Sequence, residues 1–88
     1  MGSTARPKPK YLGRKLRAIR VEILGMSQTQ MSKALGLKVD YSAVSQYELG
    51  TREPPLPTLL KYSRLAGIST DVLIDDKAGL PKKRLTNA

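Results

Sequence analysis

The chain has 88 residues, 40% of them apolar and 26% charged, which fits one small globular domain. The absence of cysteine and histidine excludes disulfides, thiolate metal sites and the commonest catalytic base, so we expect no enzyme, no metal and no cofactor. Sixteen Lys and Arg against seven Asp and Glu give a formal net charge of +9, which favours a nucleic-acid partner.

Basic segments lie at both ends of the chain. Residues 1–10 are Pro-rich and predict a flexible basic arm, and residues 77–88 predict a flexible basic C-terminal tail. The helical domain is expected between them, over residues 11–76. The two termini either wrap DNA or serve as solubilising tails, while Leu80 and Leu85 favour docking of the tail on a partner subunit.

Membrane binding is the other common role of a basic chain. No stretch approaches the roughly 18 consecutive apolar residues of a membrane-spanning helix. No signal-peptide core follows the N terminus. The sequence therefore predicts a cytoplasmic protein without a membrane partner.

An amphipathic first helix is predicted from Tyr11 onwards. Its apolar positions, spaced by four, three and four residues, are Leu12, Leu16, Ile19 and Ile23. The helix is expected to end near Gly25.

The second predicted helix is about eight residues long. Ser27 and Gln30 have the spacing of a capping box, in which each residue binds the backbone N–H of the other. The apolar face comprises Met31, Ala34 and Leu35. Gly36 follows as the terminator.

A third helix is predicted from Asp40, whose side chain can cap it, to Gly50, which supplies a left-handed stop. Val44 and Tyr47 are expected to point into the core. Helices this short are not stable alone, so the second and third must pack on their neighbours. Two such helices joined by a tight turn form a helix-turn-helix, which can place its second helix in the major groove.

Two more helices are predicted towards the C terminus. Pro57 suits the first turn of the fourth helix, which ends at Gly67, and a short fifth helix follows Ser69 or Thr70. Their apolar positions are Leu59, Leu60, Leu65 and Ala66 in the fourth, and Val72, Leu73 and Ile74 in the fifth.

Three segments, MSQTQMSKALGL, VSQYELGTREPP and LLKYSRLAGISTDVLI, together resemble the phage Cro and repressor helix-turn-helix family. The resemblance covers about residues 12–74 and implies an all-α, five-helix, lambda-repressor-like domain. It further implies a sequence-specific double-stranded DNA-binding transcriptional regulator of bacterial or phage type, acting near the nucleoid. A homodimer on a two-fold operator is expected, with repression the favoured mode and no small-molecule ligand evident.

The resemblance implies a set of phosphate contacts. Ser27 and Gln28 begin the scanning helix, where free backbone N–H groups and the helix dipole attract an anion. Arg52, with Thr51 beside it, matches the basic loop position after the recognition helix, where it would touch phosphate or enter the minor groove. Lys38 is a further expected phosphate contact.

Base reading is expected from the outward face of the third helix. Ser42, Ser45, Gln46 and Leu49 share this face at helical spacing. Gln46 can bond bidentately to adenine, the serines suit donor or acceptor edges, and Tyr41 can pack on a thymine methyl group.

Glu48 is expected on the inward side of the third helix. In the family a glutamate at this place pairs with an arginine of the first helix, and Arg20 is the candidate with Arg17 as the alternate. The spacing from Arg20 to Gln28 is one residue longer than the common form.

A second departure from the family pattern precedes the third helix. The chain has two residues more than usual between Gly36 and Val44. The extra length either lengthens the turn or starts the recognition helix earlier, and this affects the environment of Lys38 and Tyr41.

The rival hypothesis is a protein-binding module of the same fold, similar to an antitoxin or a coactivator, with DNA contact secondary. A protein partner therefore remains an alternative to DNA as the main ligand. Base reading by Gln46 and Ser45 would distinguish the two.

Overall fold

The computed structural model describes residues 10–37 and 41–80, which form helices and turns without a β-strand. The helices are α1 (Leu12–Ala18), α2 (Gln28–Ala34), α3 (Ser42–Leu49), α4 (Leu56–Ala66) and α5 (Thr70–Ile74). The predicted all-α, five-helix fold is therefore confirmed. None of the helices in the described part of the chain is long and apolar enough to cross a bilayer.

One apolar core joins all five helices. Its fully buried members include Leu16, Met31, Leu35, Val44, Tyr62 and Leu73. Burial of a large aliphatic or aromatic side chain contributes about 1.5–3 kcal/mol, so a handful of such residues stabilises helices that are too short to persist alone. The inward positions predicted for α3, Val44 and Tyr47, are buried at 0% and 3% exposure.

The first helix does not continue as an α-helix to Gly25, as its spacing predicted. After Ala18 the chain forms a π-helical turn over Ile19–Ile23, in which Leu24 N–H donates to the carbonyl of Ile19 at 2.8 Å. A π turn accommodates one extra residue within a helix. The spacing from Arg20 to Gln28 is one residue longer than in the common form of the family, and the π turn can accommodate this extra residue. Ile19 remains in the core.

Deletion of Glu22, an exposed member of the π turn, is expected to restore an ordinary α-helix and to leave the melting temperature equal to or above that of the parent chain. The physical reason is that π-helical hydrogen bonds are replaced by α-helical ones. Circular dichroism melts check this. Deletion of Arg17, within α1, is the control and should unfold the protein by moving the core leucines out of register; equal damage from both deletions would contradict the assignment.

Helices α1 and α3 approach each other closely at Gly13. A Cβ atom added there would lie 2.5 Å from the carbonyl oxygen of Glu48 and 2.9 Å from that of Tyr47. These contacts are with backbone atoms, which cannot rotate away as a side chain does. Because Gly13 has no side chain, α1 can pack at this short distance from the end of α3.

Gly13→Ala is expected to lower the free energy of unfolding by about 1–3 kcal/mol, because the added methyl group overpacks a backbone contact. Chemical denaturation measures this. Gly79→Ala is the matched control, since a Cβ atom at Gly79 would meet no atom within 4 Å. A Gly13→Ala variant as stable as the control would show that α1 and α3 can separate freely.

Two lysines bind carbonyl groups at helix ends. The ammonium of Lys15, a residue only 7% exposed, donates to the carbonyls of Val72 at 2.7 Å and Asp75 at 2.8 Å, at the end of α5. Lys61 donates to the carbonyl of Leu35 at 2.9 Å, at the end of α2. A cation is favoured at these positions because the last carbonyls of a helix lack partners and carry partial negative charge.

The C-terminal segment packs on the domain beyond the predicted boundary at Asp76. The Asp76 carboxylate accepts hydrogen bonds from the backbone N–H groups of Lys10 (2.9 Å) and Tyr11 (3.2 Å), which lower the pKa of Asp76. Leu80, which was expected to dock on a partner subunit, is half-buried against the core of its own chain. Leu85 lies outside the described residues.

Candidate nucleic-acid interface

Helix α3 presents outwards a face that is polar apart from Leu49, which is 75% exposed. Ser42 and Gln46 are exposed and Ser45 is half-buried. Tyr41, at the N-cap position, is 51% exposed and its side chain makes no capping hydrogen bond. The helix begins at Ser42.

The start of α2 is held by the capping box that the sequence predicted. The Ser27 hydroxyl accepts from Gln30 N–H at 3.0 Å, and the Gln30 side chain accepts from Ser27 N–H at 2.8 Å. Both residues are exposed. As an acceptor here, the Ser27 oxygen still carries its own hydrogen for a further donation.

Glu48 and Arg20 form a bidentate ion pair between α3 and the π turn. Arg20 Nε lies 2.6 Å from one carboxylate oxygen of Glu48, and Nη2 lies 3.1 Å from the other. The side chain of Glu48 is only 5% exposed, and that of Arg20 is 11% exposed. Hydrogen bonding to Glu48 raises the pKa of Arg20 above its ordinary value, so the guanidinium remains charged. The alternate partner, Arg17, is exposed.

Two further contacts extend this pair to α2. The remaining guanidinium nitrogen of Arg20 donates to the carbonyl of Met26 at 2.9 Å, in the turn before α2. The carboxamide of Gln28, the first residue of α2, donates to Glu48 at 3.2 Å. We call Arg20, Glu48 and Gln28 the Glu48 network; it joins the π turn, the start of α2 and the end of α3.

The loop after α3 folds back on the helix. Gly50 adopts the predicted left-handed conformation at φ +80°, and the backbone N–H groups of Thr51 and Arg52 both donate to the Gln46 carbonyl, at 3.1 and 3.3 Å. The Arg52 guanidinium lies over the ring of Tyr47, 5.8 Å from its centroid. Thr51 and Arg52 are exposed beside the outward face of α3.

The structure thus brings together most of the predicted site residues. The outward residues of α3 are followed by the Thr51–Arg52 loop, and Gln28 is linked to α3 through Glu48. Lys38 and Asp40 lie outside the described residues. Sequence reasoning did not find the bond from Gln28 to Glu48 or the contact of Arg52 with Tyr47, because no periodicity or spacing signals a contact between side chains of different elements.

Glu48→Ala is expected to lower the free energy of unfolding by about 3–5 kcal/mol, because it leaves the largely buried guanidinium of Arg20 without its counter-charge. Denaturant titration measures the loss. The exposed carboxylate Glu22 provides the control: Glu22→Ala should change stability by no more than about 0.5 kcal/mol. A small, equal effect of both substitutions would show that the network contributes little to the fold.

Comparison with known proteins identifies relatives of this architecture. A helix-turn-helix family model matches residues 16–73, more than half of the chain. A curated relative, the SPbeta prophage-derived uncharacterized HTH-type transcriptional regulator YonR of Bacillus subtilis (strain 168), is 42% identical over 50 residues. The match spans 57% of this chain and 44% of the relative, so the similarity covers less than half the length of that protein.

A solved structure shows the same arrangement of helices. The P22 c2 repressor protein, in complex with synthetic operator 9T, superposes with a TM-score of 0.65 and is 31% identical. The superposition covers 74% of this chain and 94% of the repressor chain. The similarity therefore extends over nearly the whole of that chain.

Proposed function

Since the chain belongs to the helix-turn-helix family of the Cro and repressor type, a family of DNA-binding transcriptional regulators, we propose that it binds a specific double-stranded DNA sequence through α3. The observation that carries this proposal is the geometry of α3. Its buried side, Val44 and Tyr47, packs on the core, while Ser42 and Gln46 are left exposed.

The outward side chains have the chemistry of base readers. Gln46 can offer one donor and one acceptor to adenine, and Ser42 and Ser45 can donate or accept at base edges. Tyr41 is exposed at the N-terminal end of the helix, the end that contacts bases in related docking geometries, and can pack on a thymine methyl group.

Phosphate contacts are proposed for the loop after α3 and for the start of α2. Arg52 and Thr51 follow α3, and Ser27 with Gln28 begins α2. Lys38 is proposed as a fifth contact on the ground of charge and position in the sequence alone. Such contacts set the register of the protein on the duplex and leave sequence discrimination to the base-reading residues.

A dimer on a two-fold operator is proposed as the functional unit, with repression by occlusion of a promoter as its effect. The P22 c2 structure supports DNA as the partner, since that repressor is in complex with an operator. The prophage origin of the curated relative supports a bacterial or phage setting in the cytoplasm, near the nucleoid. The proposed role is binding without catalysis.

Selection from random duplexes at near-physiological salt tests the proposal. We expect a two-fold-symmetric motif with half-sites about one helical turn apart. Gln46→Ala should then change the preference at one base pair by about 1–3 kcal/mol, because it removes a bidentate contact. Arg52→Ala is the matched comparison and should weaken all sequences alike, with a shallower salt dependence.

A retained pool that stays random would contradict sequence-specific binding. Binding would then reflect only the positive charge and would be strongly salt-dependent. Equal, small effects of the two substitutions would contradict base reading by Gln46. Either result would favour the protein-binding module, and a search for a protein partner would follow.

A further inference from the structure

Arg52 is exposed to solvent, and its guanidinium lies over a buried ring. The centre of its guanidinium lies 5.8 Å from the centroid of Tyr47, within the range of about 6 Å for a cation–π interaction. Tyr47 is only 3% exposed, so the core of the protein sets the orientation of the ring. The position of the arginine charge is therefore coupled to the packing of α3.

The backbone of the loop is tied to the same part of α3. The N–H groups of Thr51 and Arg52 converge on the carbonyl oxygen of Gln46, the residue before Tyr47. Arg52 is thus held at two points, its main chain by Gln46 and its side chain by Tyr47. Gln46 is also the residue proposed to bind adenine. The same helix, α3, therefore carries Gln46 and holds Arg52.

Resting on the proposed function, we infer that Tyr47 is a positioning residue that orients Arg52 towards the DNA backbone beside the base-reading face. An arginine free in solvent samples many rotamers, and binding must restrict them at a loss of entropy. The ring restricts them before DNA arrives. A cation–π contact uses the charge of the guanidinium rather than its N–H donors, so it does not consume the groups that bind phosphate oxygens.

A double-mutant cycle with duplex DNA of random sequence at low salt tests this inference, because a backbone contact does not need the operator. Tyr47→Leu removes the ring and is expected to weaken binding about twofold to fivefold. In the Arg52→Ala background the same substitution should cause no further loss. Tyr47→Phe retains the ring and should restore the parent affinity.

Tyr11→Leu is the matched control, since it removes the ring beneath another arginine, Arg14, which lies 5.5 Å from it. Its effect should be the same with and without Arg52. Circular dichroism establishes that each variant is folded at the temperature of the binding measurement. Tyr47→Met, which fills the core without a ring, replaces Tyr47→Leu if that variant unfolds.

Ring-current shifts of the Arg52 side-chain protons provide a readout without DNA. They should be present in the parent chain and in Tyr47→Phe and absent in the ring-free variant. An equal loss of affinity in both Arg52 backgrounds, or no loss in either, would overturn the positioning role. Failure of the parent chain to bind any duplex would instead overturn the proposed function, and the inference with it.

Discussion

The buried carboxylate of Glu48 is the constraint on which the arrangement of the first three helices depends. A charge removed from water must be paired and hydrogen-bonded, or the fold that buries it is lost. Glu48 accepts from Arg20 at both oxygens and from Gln28 at one of them. The orientation of α3 is therefore determined from two sides, by the π turn after α1 and by the first residue of α2.

Two features of the backbone accompany these contacts. The π turn contains Arg20, which binds Glu48 from this position. Gly13 lets the backbone of α1 approach the end of α3, where Glu48 lies.

Lys15 and Lys61 bind carbonyl groups at the ends of α5 and α2. Part of the positive charge of the chain therefore stabilises the fold, because these ammonium groups are hydrogen-bonded to its backbone.

Much of the architecture was accessible from the sequence because it depends on local rules. The capping box at Ser27, the left-handed Gly50 and the inward Val44 and Tyr47 each follow from backbone or periodic preferences of a few residues. The family resemblance singled out Arg20 and Glu48 as a pair, which the structure places in contact.

What sequence reasoning did not reach depends on contacts between distant residues. The apolar spacing over Leu12–Ile23 fits an α-helix, but after Ala18 the chain forms a π turn that this spacing does not predict. Lys15 is a charged residue, yet it is only 7% exposed because α5 packs against it. The tail was assigned by its polar composition, yet Leu80 finds a half-buried place on the core. The partners of Lys15 are 57 and 60 residues away in the chain, and contacts over such separations leave no local pattern in the sequence.

The division of α3 into two sides bears on how such a protein can evolve. The residues that hold the helix in place, Val44, Tyr47 and Glu48, all contact the protein, whereas Ser42 and Gln46 are exposed. Replacement of an exposed residue leaves no cavity in the core and does not remove the ion pair of Glu48. Under the proposed function, single substitutions on this side of α3 change the bases that are read while the packing of the core is kept, so a lineage of such proteins can diverge in the genes it addresses.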